Sequence, residues 1–254
     1  MLFFYYITLF PCNSAFPADL SIAARAAARR HNFRKDGNRM NKLDFKKQYK
    51  ELYAPKSSPS LIDVPSIQFI MVDGHGNPND EEGEYQKAVE LLYTLSYTIK
   101  MNCIDYSAPY AYTYIVPPLE GLWWLEDIHD MNFSQKDRYC WTSMIRQPEL
   151  VTLEHFEKAK QIIYRKKPEI DLSKAKLETY TEGLCIQCMH TGPYDEEPVT
   201  LERMEEYRQS IARDIDIGGL TVEGKIKRHH EIYLGDPRKT KPERMRTILR
   251  HPIR

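Results

Sequence analysis

A chain of 254 residues that is 42% hydrophobic and 28% charged has enough apolar material for a buried core and does not read as disordered. Lys and Arg number 36 against 36 Asp and Glu, so no net cationic field draws in a nucleic-acid backbone. The cysteines fall at 12, 103, 140, 185 and 188, an odd set without the regular framework of a small secreted domain, which points to a reducing, cytoplasmic setting.

Residues 1–39 differ from the rest. MLFFYYITLFPCNSAFPA is apolar and aromatic, and AARAAARRHNFRKDGNR is basic. The apolar stretch lacks a positive leading segment for a signal peptide, and it is too short for a membrane span and interrupted by Pro11. It is expected to lie outside the fold, with an ordinary soluble sequence starting at Met40. Residues 40–64 read as a charged helical arm (Phe45, Tyr49, Leu52) and a Pro/Ser loop.

The folded body is expected from Pro65. IQFIMVDGHG reads as a buried strand closed by turn residues Gly74 and Gly76. Tyr85, Ala88, Val89, Leu92, Leu95, Ser96 and Ile99 recur at three and four, giving a helix with one buried stripe. TYIVPP and LEGLWWLED read as two short strands, or one broken at Pro117-Pro118. Residues 131–172 form a connecting layer with a helix around Leu153, Phe156, Ala159 and Ile163, stopped by Pro168. The pattern then returns: strand in LETYTEGLCIQCMHTG, helix in TLERMEEYRQSIARDI with Thr200 as its cap followed by Glu202, and a closing strand in KIKRHHEIYLGDPR. The expected fold class is α+β, with duplicated strand-helix-strand-strand units (65–130 and 173–254) related by pseudo-two-fold symmetry around a central ligand cleft.

Strand alternation sorts the candidate site. In LEGLWWLED one face carries Glu120, Leu122, Trp124 and Glu126, the other Leu119, Trp123 and Leu125. In HHEIYLGD one face carries His229, Glu231 and Tyr233, while Ile232 and Leu234 seek the core, so Glu231 is expected to point away from the helices. Laying one half over the other matches Trp124 with Tyr233 and Glu120 with His229. This collects aromatics and carboxylates on one face, a combination suited to cationic or planar ligands. Tyr112 and Trp123 complete the candidate set. Adjacent His229 and His230 face opposite ways, as do Cys185 and Cys188, so neither pair suits a shared metal ion. No cofactor loop is recognised, since GHGNP lacks dinucleotide spacing. The basic tail RKTKPERMRTILRHPIR is expected to turn Met245, Ile248 and Leu249 inward.

PPLEGLWW, HTGPYDEE and EIYLGDPRKTKPERMRTILRHPI together resemble the GyrI-like small-molecule-binding domain family, in its standalone form, over about Pro65 to Arg254. The resemblance implies a duplicated α+β fold related to effector-binding domains of multidrug-sensing regulators, and a cleft glutamate, here Glu231, that engages cationic aromatic ligands. Some standalone members hydrolyse cyclopropane-bearing DNA-alkylating compounds. No helix-turn-helix precedes the domain, so regulation in cis is not expected.

Three functions follow: a protective binder of a small planar or cationic molecule, a hydrolase of strained electrophiles with Glu231 orienting water, or a modulator of a protein such as gyrase. The expected partner is a small organic ligand, with no nucleic acid, membrane or cofactor, and no motif specifies a protein partner.

Overall fold

In the computed structural model the described residues are 42–108, 111–125 and 136–254. The N-terminal extension, Met40, Cys12 and Glu126 lie outside the described residues.

Apolar side chains on both faces of the strands dictate a sheet covered on both sides, and closing the sheet on itself provides one of those covers. The strands β1 (Lys42–Leu43) and β3 (Thr113–Tyr114) make a small parallel ladder. The other six close into a barrel in the order β2 (Ser60–His75), β5 (Tyr139–Arg146), β4 (Leu119–Leu125), β7 (His229–Tyr233), β8 (Arg246–Pro252) and β6 (Ala175–Thr191). The long strands β2 and β6 pair antiparallel and complete the ring. β2 starts at Ser60, earlier than expected, and runs through Pro65. That proline is tolerated because β2 is paired only with β6 there, its ladder with β5 starting at Phe69.

The helices are where periodicity places them. Helix α3 (Glu84–Thr98) follows two single-turn helices, α1 (Phe45–Gln48) and α2 (Lys50–Tyr53). Helix α4 (Leu153–Lys166) is opened by a capping box between Thr152 and His155 and ends before Pro168. Helix α5 (Glu197–Ser210) starts with Pro198 in its first turn. Thr200 is therefore not its cap: it lies inside the helix, buried, with its hydroxyl 3.0 Å from His190 Nδ1. The strand expected beside LEGLWWL is not TYIVPP but β5, which sequence reading assigned to the connecting layer.

Three apolar clusters define the layers. One draws Phe69, Leu122, Met144, Cys185, Ile232 and Ile248 from all six barrel strands, so it fills the interior, and Phe45, Leu52 and Tyr53 of the N-terminal segment join it. The second packs α3 and α4 on the outer face of β2, β5 and β4 through Leu92, Leu95, Phe156, Ile70, Trp123 and Trp141. The third packs α5 on β6 and β8 through Leu201, Met204, Cys188 and Leu249. Cys185 and Cys188 thus lie on opposite faces, as alternation requires. Met245, Ile248 and Leu249 are buried, as the tail pattern suggests. Gly74 is more than a turn residue: a Cβ there would lie 2.2 Å from the Trp141 ring, so close strand packing depends on it.

Candidate functional site

The expected site divides between two faces of the barrel. β4 and β7 run antiparallel with Gly121 opposite Glu231 and Trp123 opposite His229, and directly opposite residues share a face. Glu231, Tyr233, His229 and Trp123 therefore stand together on the outer, helix-covered face, while Glu120 and Trp124 share the inner set with Ile232 and His230. This corrects the expectation on three counts. Glu231 points toward the helices, Trp123 rather than Trp124 is its neighbour, and Glu120 belongs to another network. Ile232 does face a core, but that core is the barrel interior. Trp124 packs against the interior cluster, and the Arg228 guanidinium lies 4.5 Å from its ring centroid. Tyr112 also packs against the interior cluster, with Tyr49 and Arg146 among its electrostatic neighbours, and it does not join Glu231.

On the outer face Glu231 is fully buried. The Tyr233 hydroxyl donates to its Oε2 at 2.7 Å, and His229 Nε2 is 3.0 Å from its Oε1. Trp123 Nε1 donates to the Tyr233 hydroxyl oxygen at 2.9 Å, and His229 Nδ1 is 2.7 Å from His251 Nε2. A hydrogen-bonded chain thus runs from His251 through His229, Glu231 and Tyr233 to Trp123. Gly121 leaves room for it, since a Cβ there would come within 2.7 Å of Trp123 Nε1.

Aromatic rings surround the chain. Tyr85 of α3 lies 5.4 Å from Trp123, Tyr139 meets Trp123 edge-on at 6.4 Å, and Tyr194, in the turn before α5, meets Tyr233 edge-on at 6.0 Å. Burial, with the Glu231 charge next, pushes the Tyr233 phenol well above its usual range and Tyr139 up to about 12. Both phenols therefore remain donors at neutral pH. Burial, then His229, holds the His251 ring well below the usual histidine range. A groove of about 350 Å³, lined in part by Tyr93, Tyr97, Leu119 and Tyr233, opens beside this region and meets it at Tyr233.

Sequence reasoning missed Glu197, the first residue of α5 and the last of the HTGPYDEE motif. It is fully buried, and neither carboxyl oxygen has a hydrogen-bond partner. Thr247 is near enough to influence its charge without making a bond of proper geometry. Burial, and then the Glu231 charge, raise its pKa well above the usual carboxylate range. Its place at the end of a motif and the start of a helix was the available signal.

The inner face carries a separate network. His230 bridges two carboxylates, with Nε2 3.0 Å from Glu120 Oε2 and Nδ1 3.0 Å from Glu182 Oε2. Arg250 donates to Glu182 at 3.2 Å and to the Leu52 carbonyl at 3.1 Å, and Tyr53 donates to Glu120 at 3.1 Å. Burial alone would raise Glu182, but the charges of His230 and Arg250 hold it at about 2. Burial would likewise lower His230, but Glu182 and Glu120 raise it to about 9. These groups border a closed void of about 10 Å³, too small for an organic ligand.

The fold and outer site define a class: an α+β barrel with an aromatic, carboxylate-bearing site where β4 meets β7. The chain belongs to the GyrI-like small-molecule-binding domain family, whose profile matches residues 57–208. It is similar to the structure of an uncharacterised conserved protein from Listeria innocua, at 46% identity over 84% of this chain and all of the other, with a TM-score of 0.75. It is also similar to a protein from Listeria innocua described as a hydrolase, at 44% identity with the same coverage and a TM-score of 0.71. A comparison with curated proteins gives no match. Among the described residues no helix is long and apolar enough to cross a membrane.

Proposed function

We propose that the protein binds a small planar organic molecule, cationic or electrophilic, on the outer-face site, with Glu231 as polar anchor and Trp123, Tyr85, Tyr194 and Tyr233 as its aromatic surround. The observation that carries this is Glu231 itself, a fully buried carboxylate gripped by Tyr233 and His229 and ringed by aromatics. A buried anion is costly, and holding it ready beside π-faces suits cation and ring recognition better than it suits stability. The repeated order of strand, helix, strand, strand supports reading the barrel as a duplicated unit with pseudo-two-fold symmetry, the site lying where the halves meet at β4 and β7. Protection against toxic compounds, in a reducing cytoplasm, fits such a site.

A hydrolytic role is favoured by the similarity to a protein described as a hydrolase. For a cyclopropane conjugated to a planar ring system, the oxygen of water would bond to a ring carbon while the strained carbon–carbon bond breaks. Its electron pair moves to the conjugated carbonyl, and the water proton passes to Glu231. Glu120 and Trp124, on the inner face, take no part.

Incubation with N-methylacridinium and with a cyclopropane-bearing alkylator, following tryptophan fluorescence and product mass together, tests both roles. Binding is expected from fluorescence quenching, and turnover from a product heavier by one water. Native protein that quenches with neither compound, or a Glu231→Gln variant that behaves as native with both, overturns the proposal.

A further inference from the structure

We infer that Glu197 is the proton-bearing partner of Glu231: a neutral carboxylic acid that donates a hydrogen bond to a carbonyl oxygen of the ligand while ionised Glu231 takes the cationic or electrophilic end. The inference rests on the proposed ligand site and adds to it a ligand class, planar molecules with a carbonyl conjugated to the ring system.

The buried acids of the described residues provide the argument. Glu120 is met by Tyr53 and His230, Glu182 by His230 and Arg250, Glu205 by Arg208 and Gln209, and Glu231 by His229 and Tyr233. Glu197 is as deeply buried as any of these, yet both its oxygens are without a partner. A folded protein ordinarily gives a buried polar group a partner, and one left without is suited to receiving it from a ligand.

Which of the two acids holds the proton follows from their surroundings. Glu197 feels Glu231, Asp195 on the turn leading into α5, and the Thr247 hydroxyl; Glu231 is backed by His229 and Tyr233 on β7, and Tyr139 of β5 and His190 of β6, itself bonded to Thr200 and the Pro193 carbonyl, also face it. Two carboxylates in a dry site do not both ionise. Glu231 receives the Tyr233 hydrogen bond and has His229 at its other oxygen, which stabilise its anion, while Glu197 has only the approach of the Thr247 hydroxyl, without a bond of proper geometry. The start of α5 favours negative charge at Glu197, but that effect is modest beside desolvation and a neighbouring anion.

In turnover the electron pair released from the broken ring bond ends on the carbonyl oxygen, which takes the Glu197 proton. The proton of the attacking water goes to Glu231. The pair still holds one proton, now on Glu231, and its return to Glu197 resets the site, so the net change is addition of one water.

Infrared difference spectroscopy at neutral pH tests the protonation directly and needs no ligand. A protonated-carboxyl band is expected in the native protein, lost in Glu197→Gln and retained in Glu231→Gln; a native spectrum without a band that Glu197→Gln removes overturns the inference. Two planar probes test the ligand contact. Acridone carries a conjugated carbonyl, and N-methylacridinium carries a charge and no acceptor oxygen. Glu197→Leu, which cannot donate, is expected to bind acridone about tenfold more weakly, while Glu197→Gln, whose amide still donates, stays within a fewfold of native. Both variants should bind N-methylacridinium at least as well as native. Equal acridone affinity in native and Glu197→Leu overturns the contact. Failure of the underlying site looks different, because Glu231→Gln would then leave N-methylacridinium affinity unchanged.

Discussion

The two faces of β7 carry similar chemistry arranged to opposite ends. On the inner face His230 is held between Glu120 and Glu182, with Arg250 adding a cation, so each carboxylate meets a positive or donating group. On the outer face the same strand puts Glu231 in a setting where the nearby acid, Glu197, has no hydrogen bond of proper geometry and only the approach of the Thr247 hydroxyl. Every ionised group of the inner network has a partner of opposite charge, although Glu182 Oε1 and Arg250 Nε are left without hydrogen bonds, so losing a member strands a charge; Glu197 has no such counter-charge and can gain one partner. The first arrangement fixes the fold and the second is suited to receiving a ligand.

The sharpest way to break this contrast is to unbalance the inner face. Arg250→Ala removes one of the two cations on Glu182 Oε2, leaving His230 alone to balance Glu182 and Glu120, and should cost about 3–5 kcal/mol of stability in urea denaturation. Loss below 1 kcal/mol would make the inner network dispensable and erase the distinction. On the outer face Glu231→Gln should weaken N-methylacridinium binding about tenfold or more, the equivalent of about 1.5–3 kcal/mol, with a smaller change in stability. Trp123→Ala should weaken planar ligands of either charge, and Trp124→Ala should leave binding unchanged at temperatures well below melting. Titration separates the faces again. The Glu182 contribution is full above its unfolded pKa of 4.5 and declines as pH falls toward about 2. That of His230 is full below 6.5 and declines as pH rises through about 9. Glu197, with its raised pKa, loses stabilisation as pH rises above 4.5, so Glu197→Gln should gain stability relative to native on the alkaline side. Thermal melts across pH for native, Glu197→Gln and Glu182→Gln would resolve these limbs. The smallest effect is expected from removing residues 1–39, whose sequence has no amphipathic pattern continuous with the core, and the melting temperature should not move.

Much of this was legible beforehand. The apolar stripe from Tyr85 to Ile99 and the Pro168 stop place α3 and α4, and alternation correctly separates Glu231 from Ile232 and Cys185 from Cys188. Which side the helices cover was not legible, because a closed barrel buries both faces of a strand and an apolar residue such as Ile232 is satisfied inside or out. Overlaying the two halves matched Trp124 with Tyr233 as equivalent positions, but equivalence between repeats says nothing about antiparallel register, which sets Gly121 against Glu231. The strand β5 escaped notice for a related reason: WTSMI is buried along its length, so it shows no alternation to detect.

The N-terminal segment has a consequence for how the chain is made. The Leu52 carbonyl accepts from Arg250, the Glu51 carbonyl from Gln187, and the Lys56 carbonyl from the Met189 amide. Residues 51–56 therefore wait for partners in β6 and β8, and β8 can bridge β7 to β6 only after all three strands have left the ribosome. Until then β6 and β7 each expose an edge that no other strand among the described residues covers. A stop codon at Thr247 would erase most of β8, leave that gap permanent, and yield a chain prone to aggregate.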